Sequence, residues 1–347
     1  MIEIEWGRGG SKVAEEEWRT LLRPMLDRAG LTDPIVTIEP LSGGVSSDIV
    51  RVELRGGRNV CAKRALSRLK VASVWEAPLR RNHYEVAWLR LAATISPGLA
   101  PVVLGEDETN GVALLEYLPA SDYLLWKSEL LAGRFDRRIP PAIARALAEV
   151  HSKTWRDPDV ASDFATDAMF DSLRLSPYLR TLAERTPDLS AKILAVVATT
   201  EANHLALVHG DVSPKNILVS RIDGHPVLLD AECAWFGDPA FDAAFLMNHL
   251  LLKAVHVPAI RTELLASATG FFATWRDGLP ADRGAIELRV AALLPCLFLA
   301  RIDGKSPVEY LSESERETVR AVARPLIAEA PATVGELVDS VRRGLGS

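Results

Sequence analysis

The sequence predicts an α+β fold in two parts: a β-rich N-terminal part over residues 1–117 and a mainly helical C-terminal part over residues 118–347. Three observations carry that reading. Short β-rich segments broken by turn signals fill the region before residue 118, whereas beyond Pro119 the apolar residues recur at helical spacing. With 347 residues, 48% apolar and 25% charged, the chain is long enough to bury two cores. A polar, turn-rich stretch, HGDVSPKN at 209–216, is flanked on both sides by apolar residues, as a loop held against a core would be.

Taken in order, SKVAEEEWRTLLRPMLDRAG at 11–30 places Val13, Trp18, Leu21, Leu22, Met25 and Leu26 on one helical face and ends on Gly30, a C-cap residue. VTIEPL, DIVRVEL and NVCAKRA then read as three antiparallel strands separated by SGGVSS and RGGR. A helix follows over roughly Arg80 to Ala93, and PVVLGEDETNGVALLEYL reads as a hairpin turning at Thr109-Asn110-Gly111. Six helical patterns then run from PAIARALAEVHSKTW to SERETVRAVARPLIAEA. They are interrupted by NILVS and PVLLD, two short strands around the turn RIDGH.

Composition also excludes classes of function. A net charge of −6 with no Lys/Arg cluster speaks against a nucleic-acid surface. Cys61, Cys233 and Cys296 are far apart and form no CxxC pair, which points to a reducing, cytoplasmic setting with neither a disulfide framework nor a zinc site. The start lacks a signal-peptide pattern, and the apolar run Val290 to Ala300 is too short to span a bilayer, so no membrane is expected.

The chemistry concentrates in two stretches, LVHGDVSPKNILVS at 207–220 and LLDAECAWFGDPAFDAAF at 228–245. Asp230 follows Asn216 by 14 residues and Asp211 by 19, so a hairpin brings Asp211, Asn216 and Asp230 to one end of a short ribbon. Two carboxylates and an amide oxygen are hard donors that suit Mg²⁺.

These two stretches resemble the signatures of the aminoglycoside phosphotransferase and choline kinase type of small-molecule kinases, which share the protein-kinase-like two-lobe fold. The resemblance covers roughly residues 35–250. It implies that Asp211 is the catalytic base and that Asn216 and Asp230 hold Mg²⁺. ATP would lie between the lobes, with Gly43, Gly44 and Ser46 of SGGVSSD meeting its phosphates. Lys63 on the third strand would meet the α/β-phosphates, and the backbone from Glu116 to Leu118 would meet adenine. The acid that orients Lys63 is Glu85, with Glu76 as the alternative; Pro78 argues against Glu76 lying in the helix. His209 is expected to organise the loop, Asp238 and Asp242 to brace it and cap the next helix, and Lys215 is given no role.

The implied activity is ATP-dependent transfer to a hydroxyl of a small molecule: a sugar, an amino alcohol or an aminoglycoside-like compound. A catalytically inactive nucleotide-binding regulator on the same fold is the alternative. Only a few residues separate Asp230 from the next apolar helix, which leaves no room for a peptide-docking segment and argues against protein acceptors. The modest acidic excess beyond residue 118 favours a neutral or singly charged acceptor over a polycationic one. The polar break Arg301 to Tyr310 could reach the mouth of its pocket.

Overall fold

The computed structural model describes residues 11–41, 47–66, 79–280 and 282–346. Gly43, Gly44 and Ser46 of the glycine loop, and Glu76, lie outside these residues. The chain divides into two units, Met1–Arg90 with Pro101–Pro119, and Leu91–Ala100 with Ala120–Ser347.

The first unit is built on an antiparallel sheet of β1 (Ile35–Pro40), β2 (Ser47–Leu54), β3 (Asn59–Ala65), β4 (Val103–Asp107) and β5 (Val112–Glu116), in the order β1-β2-β3-β5-β4. Its apolar face is covered by the helix Ser11–Arg28, whose Trp18, Leu22, Met25 and Leu26 pack on Val52, Val60, Ala62 and Leu114. Fully burying each such side chain contributes about 1.5–3 kcal/mol, so this face holds the helix in place. The helix stops where Gly30 turns to φ +72° and the Leu31 N–H closes onto the Leu26 carbonyl at 2.8 Å. Alternation along β3 sends Val60 and Ala62 toward that helix and Cys61 and Lys63 to the opposite face. The helix Arg81–Ile95 begins in this unit, and β4 and β5 pair through the turn at 108–111, where Gly111 has φ +61°.

In the second unit, helices surround two small ribbons. One is the foreseen pair β8 (Ile217–Ser220) and β9 (Pro226–Leu228), joined by a third strand, β6 (Tyr123–Leu125). The other pairs β7 (Ala206–Val208) antiparallel with β10 (Trp235–Gly237). β6, β7 and β10 are three residues each, too short for an alternation to show in the sequence. The helix Ala240–His256 is buried along almost its whole length, as is much of Arg283–Asp303. A helix over Val334–Gly344, not anticipated from the sequence, starts with a capping box between Thr333 and Glu336. Among the described residues no single helix is long and apolar enough to cross a membrane.

Candidate active site

β7 delivers the chain into residues 209–216, and a 3₁₀ turn, Pro214–Asn216, passes it to β8. The loop can form only because position 210 is glycine. Gly210 has φ +79°, and a Cβ there would lie 2.6 Å from the Cys233 carbonyl oxygen. That close passage leaves the backbone N–H groups of His209 and Gly210 pointing away from any strand. They donate to Asp242 Oδ2 and Oδ1, both at 2.8 Å. Asp242 sits in the first turn of the helix Ala240–His256 and is fully buried.

A second layer fixes Asp242 in turn. Trp275 Nε1–H donates to His151 Nδ1 at 2.9 Å, so the remaining imidazole proton is on Nε2, which donates to Asp242 Oδ2 at 3.2 Å. The carboxylate thus accepts from three buried donors. His209 Nδ1 accepts the Asp211 N–H at 3.2 Å. Burial outweighs the nearby carboxylates and holds His209 below its ordinary pKa, which keeps it neutral and able to accept. Asp238 caps the helix through the Ala240 N–H at 3.0 Å and is held by Arg289 Nε at 2.7 Å.

The Asp211 side chain is gripped by two cations. Arg174 Nη2 lies 2.9 Å and Lys215 Nζ 3.0 Å from its Oδ2. Arg174 also donates through Nε to the Gly210 carbonyl, and its guanidinium lies over the rings of Tyr178 and Phe245. Burial alone would push the Asp211 carboxyl up, but Lys215 and Arg174 outweigh burial and the neighbouring Asp230, and hold it below the usual carboxylate range. Asp211 is therefore an ionised, oriented carboxylate at neutral pH. Sequence reasoning missed Arg174, which reaches in from a π-helical segment, Asp171–Arg180, containing Pro177. Lys215, given no role from the sequence, is an ion-pair partner of Asp211.

Asn216 Nδ2 donates to the Asp211 carbonyl at 3.1 Å, and its own carbonyl accepts the Leu229 N–H at 2.9 Å. Because β8 pairs with β9 in the register Ile217↔Leu228, Asn216 and Asp230 come to the same end of the ribbon. Asp230 has φ +67°. A non-glycine residue held there costs on the order of 1–3 kcal/mol, the kind of strain that clusters at functional sites. The Asp211 and Asp230 carboxylates are close enough for each to disfavour the other's charge. With one Asn216 amide hydrogen spent on the loop, Oδ1 and the Asp230 carboxylate form a hard-oxygen donor set that fits a small divalent cation.

In the first unit, Lys63 Nζ lies 2.8 and 2.7 Å from the two Glu85 oxygens, with both side chains buried. Glu85 is on the first turns of the helix Arg81–Ile95. Glu116 ends β5; its N–H is bonded to the Val102 carbonyl at 2.8 Å and its carboxylate to the Val102 N–H at 3.1 Å. The Glu116 N–H is thus committed to the sheet, and Tyr117 and Leu118 follow it half-buried, outside any strand.

Comparison with known proteins places this geometry. Methylthioribose kinases of Pectobacterium atrosepticum and Yersinia enterocolitica are each 26% identical, over 69% and 66% of this chain. The chain spans 66% and 64% of their lengths, just under two thirds. Among solved structures, choline kinase LicA from Streptococcus pneumoniae superposes with a TM-score of 0.52 at 14% identity, covering 96% of this chain and 99% of its own. Amicoumacin kinase hAmiN does so with a TM-score of 0.51 at 14% identity, covering 87% and 91%. These likenesses confirm the two-part kinase-like fold. The model of the phosphotransferase enzyme family matches residues 37–293, a span that takes in Lys63, Glu85, the Asp211 loop, Asp230 and Asp242. With three quarters of its length matched in that way, the chain belongs to the phosphotransferase enzyme family.

Proposed function

We propose that the protein is an ATP-dependent phosphotransferase that moves the γ-phosphoryl group to a hydroxyl of a small molecule. The observation that carries this reading is the end of the β8–β9 ribbon. There, one ionised carboxylate, Asp211, is aimed by Arg174 and Lys215, beside the donor oxygens of Asn216 and Asp230. Asp211 accepts the hydrogen of the acceptor hydroxyl and takes its proton as that oxygen bonds to the γ-phosphorus. The bond from phosphorus to the β,γ-bridging oxygen breaks, and ADP leaves with the electron pair. Because the transition state of phosphoryl transfer is loose, orientation matters more than base strength, and a carboxylate of lowered pKa serves.

Asn216 and Asp230 would hold a divalent cation, Mg²⁺ by the hardness of the donors, and that ion supplies neutralisation of phosphate charge. Lys63, fixed by Glu85, offers an ammonium to the α/β-phosphates. Gly43, Gly44 and Ser46 are the expected phosphate loop. The backbone at Tyr117 and Leu118 remains for adenine, since the Glu116 N–H is spent. The name of the amicoumacin kinase structure includes AMP-PNP and Ca²⁺, a nucleotide and a divalent ion of the kind assigned here. Both curated relatives are named for a sugar acceptor, which makes a sugar hydroxyl the first class to try, ahead of amino alcohols and aminoglycosides.

The test is acceptor-dependent ADP release with Mg-ATP across a panel of sugars, amino alcohols and aminoglycosides, with ³¹P NMR of the product. A phosphate monoester formed by the wild type and lost in Asp211→Asn is the expected result. ADP release that no acceptor stimulates would overturn the assignment.

A further inference from the structure

A stripe of side chains leads away from Asp211 along the helix Ala240–His256. Phe245, His249 and Lys253 are four residues apart and share one face, spanning about 12 Å of helix. At the near end the Phe245 ring lies under the Arg174 guanidinium that grips Asp211, and 5.2 Å from the His249 ring. At the far end Lys253, 1% exposed, has its ammonium 5.2 Å above the Tyr310 ring. Among the described residues no carboxylate and no hydrogen-bond acceptor is paired with that ammonium.

Arg301 flanks it from the end of the helix Arg283–Asp303. Its Nη1 donates to the Ser306 carbonyl, to the Tyr178 hydroxyl at 3.2 Å and to the Ser306 hydroxyl at 3.1 Å, while its Nε is buried without a partner among the described residues. The Tyr310 hydroxyl is likewise buried and unpartnered. Glu309, whose charge acts on Lys253, is 67% exposed and already paired with Lys127 at 2.5 Å. Among the described residues, the Lys253 ammonium, the Arg301 Nε and the Tyr310 hydroxyl thus face inward with no anion between them, and an uncompensated buried charge is costly.

We infer that Lys253, Arg301 and Tyr310 form the distal end of the acceptor site and bind an anionic group, a carboxylate or a phosphate monoester, carried by the molecule whose hydroxyl meets Asp211. This rests on the phosphotransferase reading above and narrows it to acidic acceptors of sugar size. The electrostatics agree. Burial, then Lys127 and Arg301, push Lys253 down to about 7. Burial, then Lys253 and Arg301, hold His249 well below its ordinary range. An arriving anion reverses the repulsion between these cations and takes the place of the missing carboxylate. The segment Arg301–Tyr310, a polar break between helices, supplies two of the three anion-binding groups.

The experiment is calorimetric titration of the AMP-PNP-saturated protein with gluconate and glucose 1-phosphate, each beside its neutral counterpart, glucitol or glucose. The anionic member should bind about tenfold or more tightly, and the tighter of the two anions identifies carboxylate or phosphate as the preferred group. In Lys253→Met the preference should fall to about twofold or less, with Lys253→Arg retaining most of it. If Lys253→Met does not fold, Arg301→Gln takes its place and should cut the preference at least about fivefold. A wild-type ratio near one, no binding of either anion, or a ratio untouched by a folded variant would overturn the subsite. The kinase reading fails separately. An intact anion preference with no acceptor-dependent ADP release would leave the subsite standing without it, and phosphorylation of glucose or glucitol with no anion preference would do the converse.

Discussion

Replacing Arg174 with methionine tests whether the charge balance around Asp211 is what makes the loop work. The substitution keeps an apolar stem and removes the guanidinium with its ion pair at 2.9 Å to Asp211, its bonds from Nε to the Gly210 carbonyl and from Nη1 to the Leu173 carbonyl, and its place over the Tyr178 and Phe245 rings. Removing one partner of a buried pair costs about 3–5 kcal/mol. Lys215 stays 3.0 Å from the same oxygen, so the low end applies. The two lost bonds to carbonyls add about 1 kcal/mol each. The sum, about 5 kcal/mol, lowers Tm by about 10–20 °C at about 2–4 °C per kcal/mol.

The same change has a pH signature whose sign is set by the balance of burial against cations. In the wild type the folded pKa of Asp211 is depressed, so its contribution to stability is complete above the ordinary carboxylate value. That contribution is lost as pH falls through the folded one. Without Arg174, only Lys215 opposes burial and the Asp230 charge, so the folded pKa rises and the acid limb of kcat moves to higher pH. Arg174→Lys, which keeps the charge and loses the fork, should hold the acid limb while still losing part of the stability. Thermal unfolding and a pH–rate profile check both. A Tm within about 1 °C of wild type, or an acid limb in Arg174→Met that does not move, would refute the reasoning.

Three further outcomes follow from the same geometry. Asp211→Asn, with Arg174 and Lys215 still in place, should keep nucleotide affinity within a few fold while kcat falls by about 10² or more, measured by coupled ADP release and nucleotide titration. Asp230→Ala should abolish turnover with little recovery in excess Mg²⁺; a normal Mg²⁺ dependence would remove Asp230 from the ligand set. Lys63→Ala takes the ammonium from the buried Glu85 carboxylate, costs up to about 3–5 kcal/mol, and should lower kcat/KM for ATP. Lys63→Ala/Glu85→Gln should restore stability without restoring ATP use, which separates the two roles.

How far the site could be read from sequence depended on chain distance and element length. Asp211, Asn216 and Asp230 lie within 20 residues of one another, flanking two strands with a turn between them, so their meeting follows from one hairpin. Lys63 and Glu85 were legible through the resemblance, which asks for an acid on the helix after the strand lysine, with Glu76 left open as the alternative; the structure pairs Lys63 with Glu85. Arg174 was not: it lies 37 residues before Asp211, on a segment whose π pitch and Pro177 erase the helical period that would have shown its face. The β7–β10 pair that brings Asp242 under the loop is three residues long on each side. A strand that short carries no alternation, and its partner lies beyond any local signal. The Lys253 group was hidden for a third reason. A lysine in LMNHLLLKAV reads as the solvent edge of an apolar helix, and only burial of the whole helix shows that the charge points inward.

The loop separates the work of holding from the work of reacting. Asp242, buried and bound by three N–H donors, is committed to backbone and imidazole. Asp211 is bound differently. Both ion pairs fall on one oxygen, Oδ2, and the loop ties its backbone through His209 and Asn216. In the proposed reaction Oδ1 is the oxygen that meets the incoming hydroxyl, and Arg174 and Lys215 set its direction by holding Oδ2. A base held this way is weak, because the cations that aim it also stabilise its charge. For a reaction whose transition state asks little of the base and much of alignment, that exchange favours the rate: a rotation of the carboxylate would cost more than the lowered pKa does. The prediction that Arg174→Met lowers turnover while raising the basicity of Asp211 follows from that order of effects, and would fail if base strength governed the step.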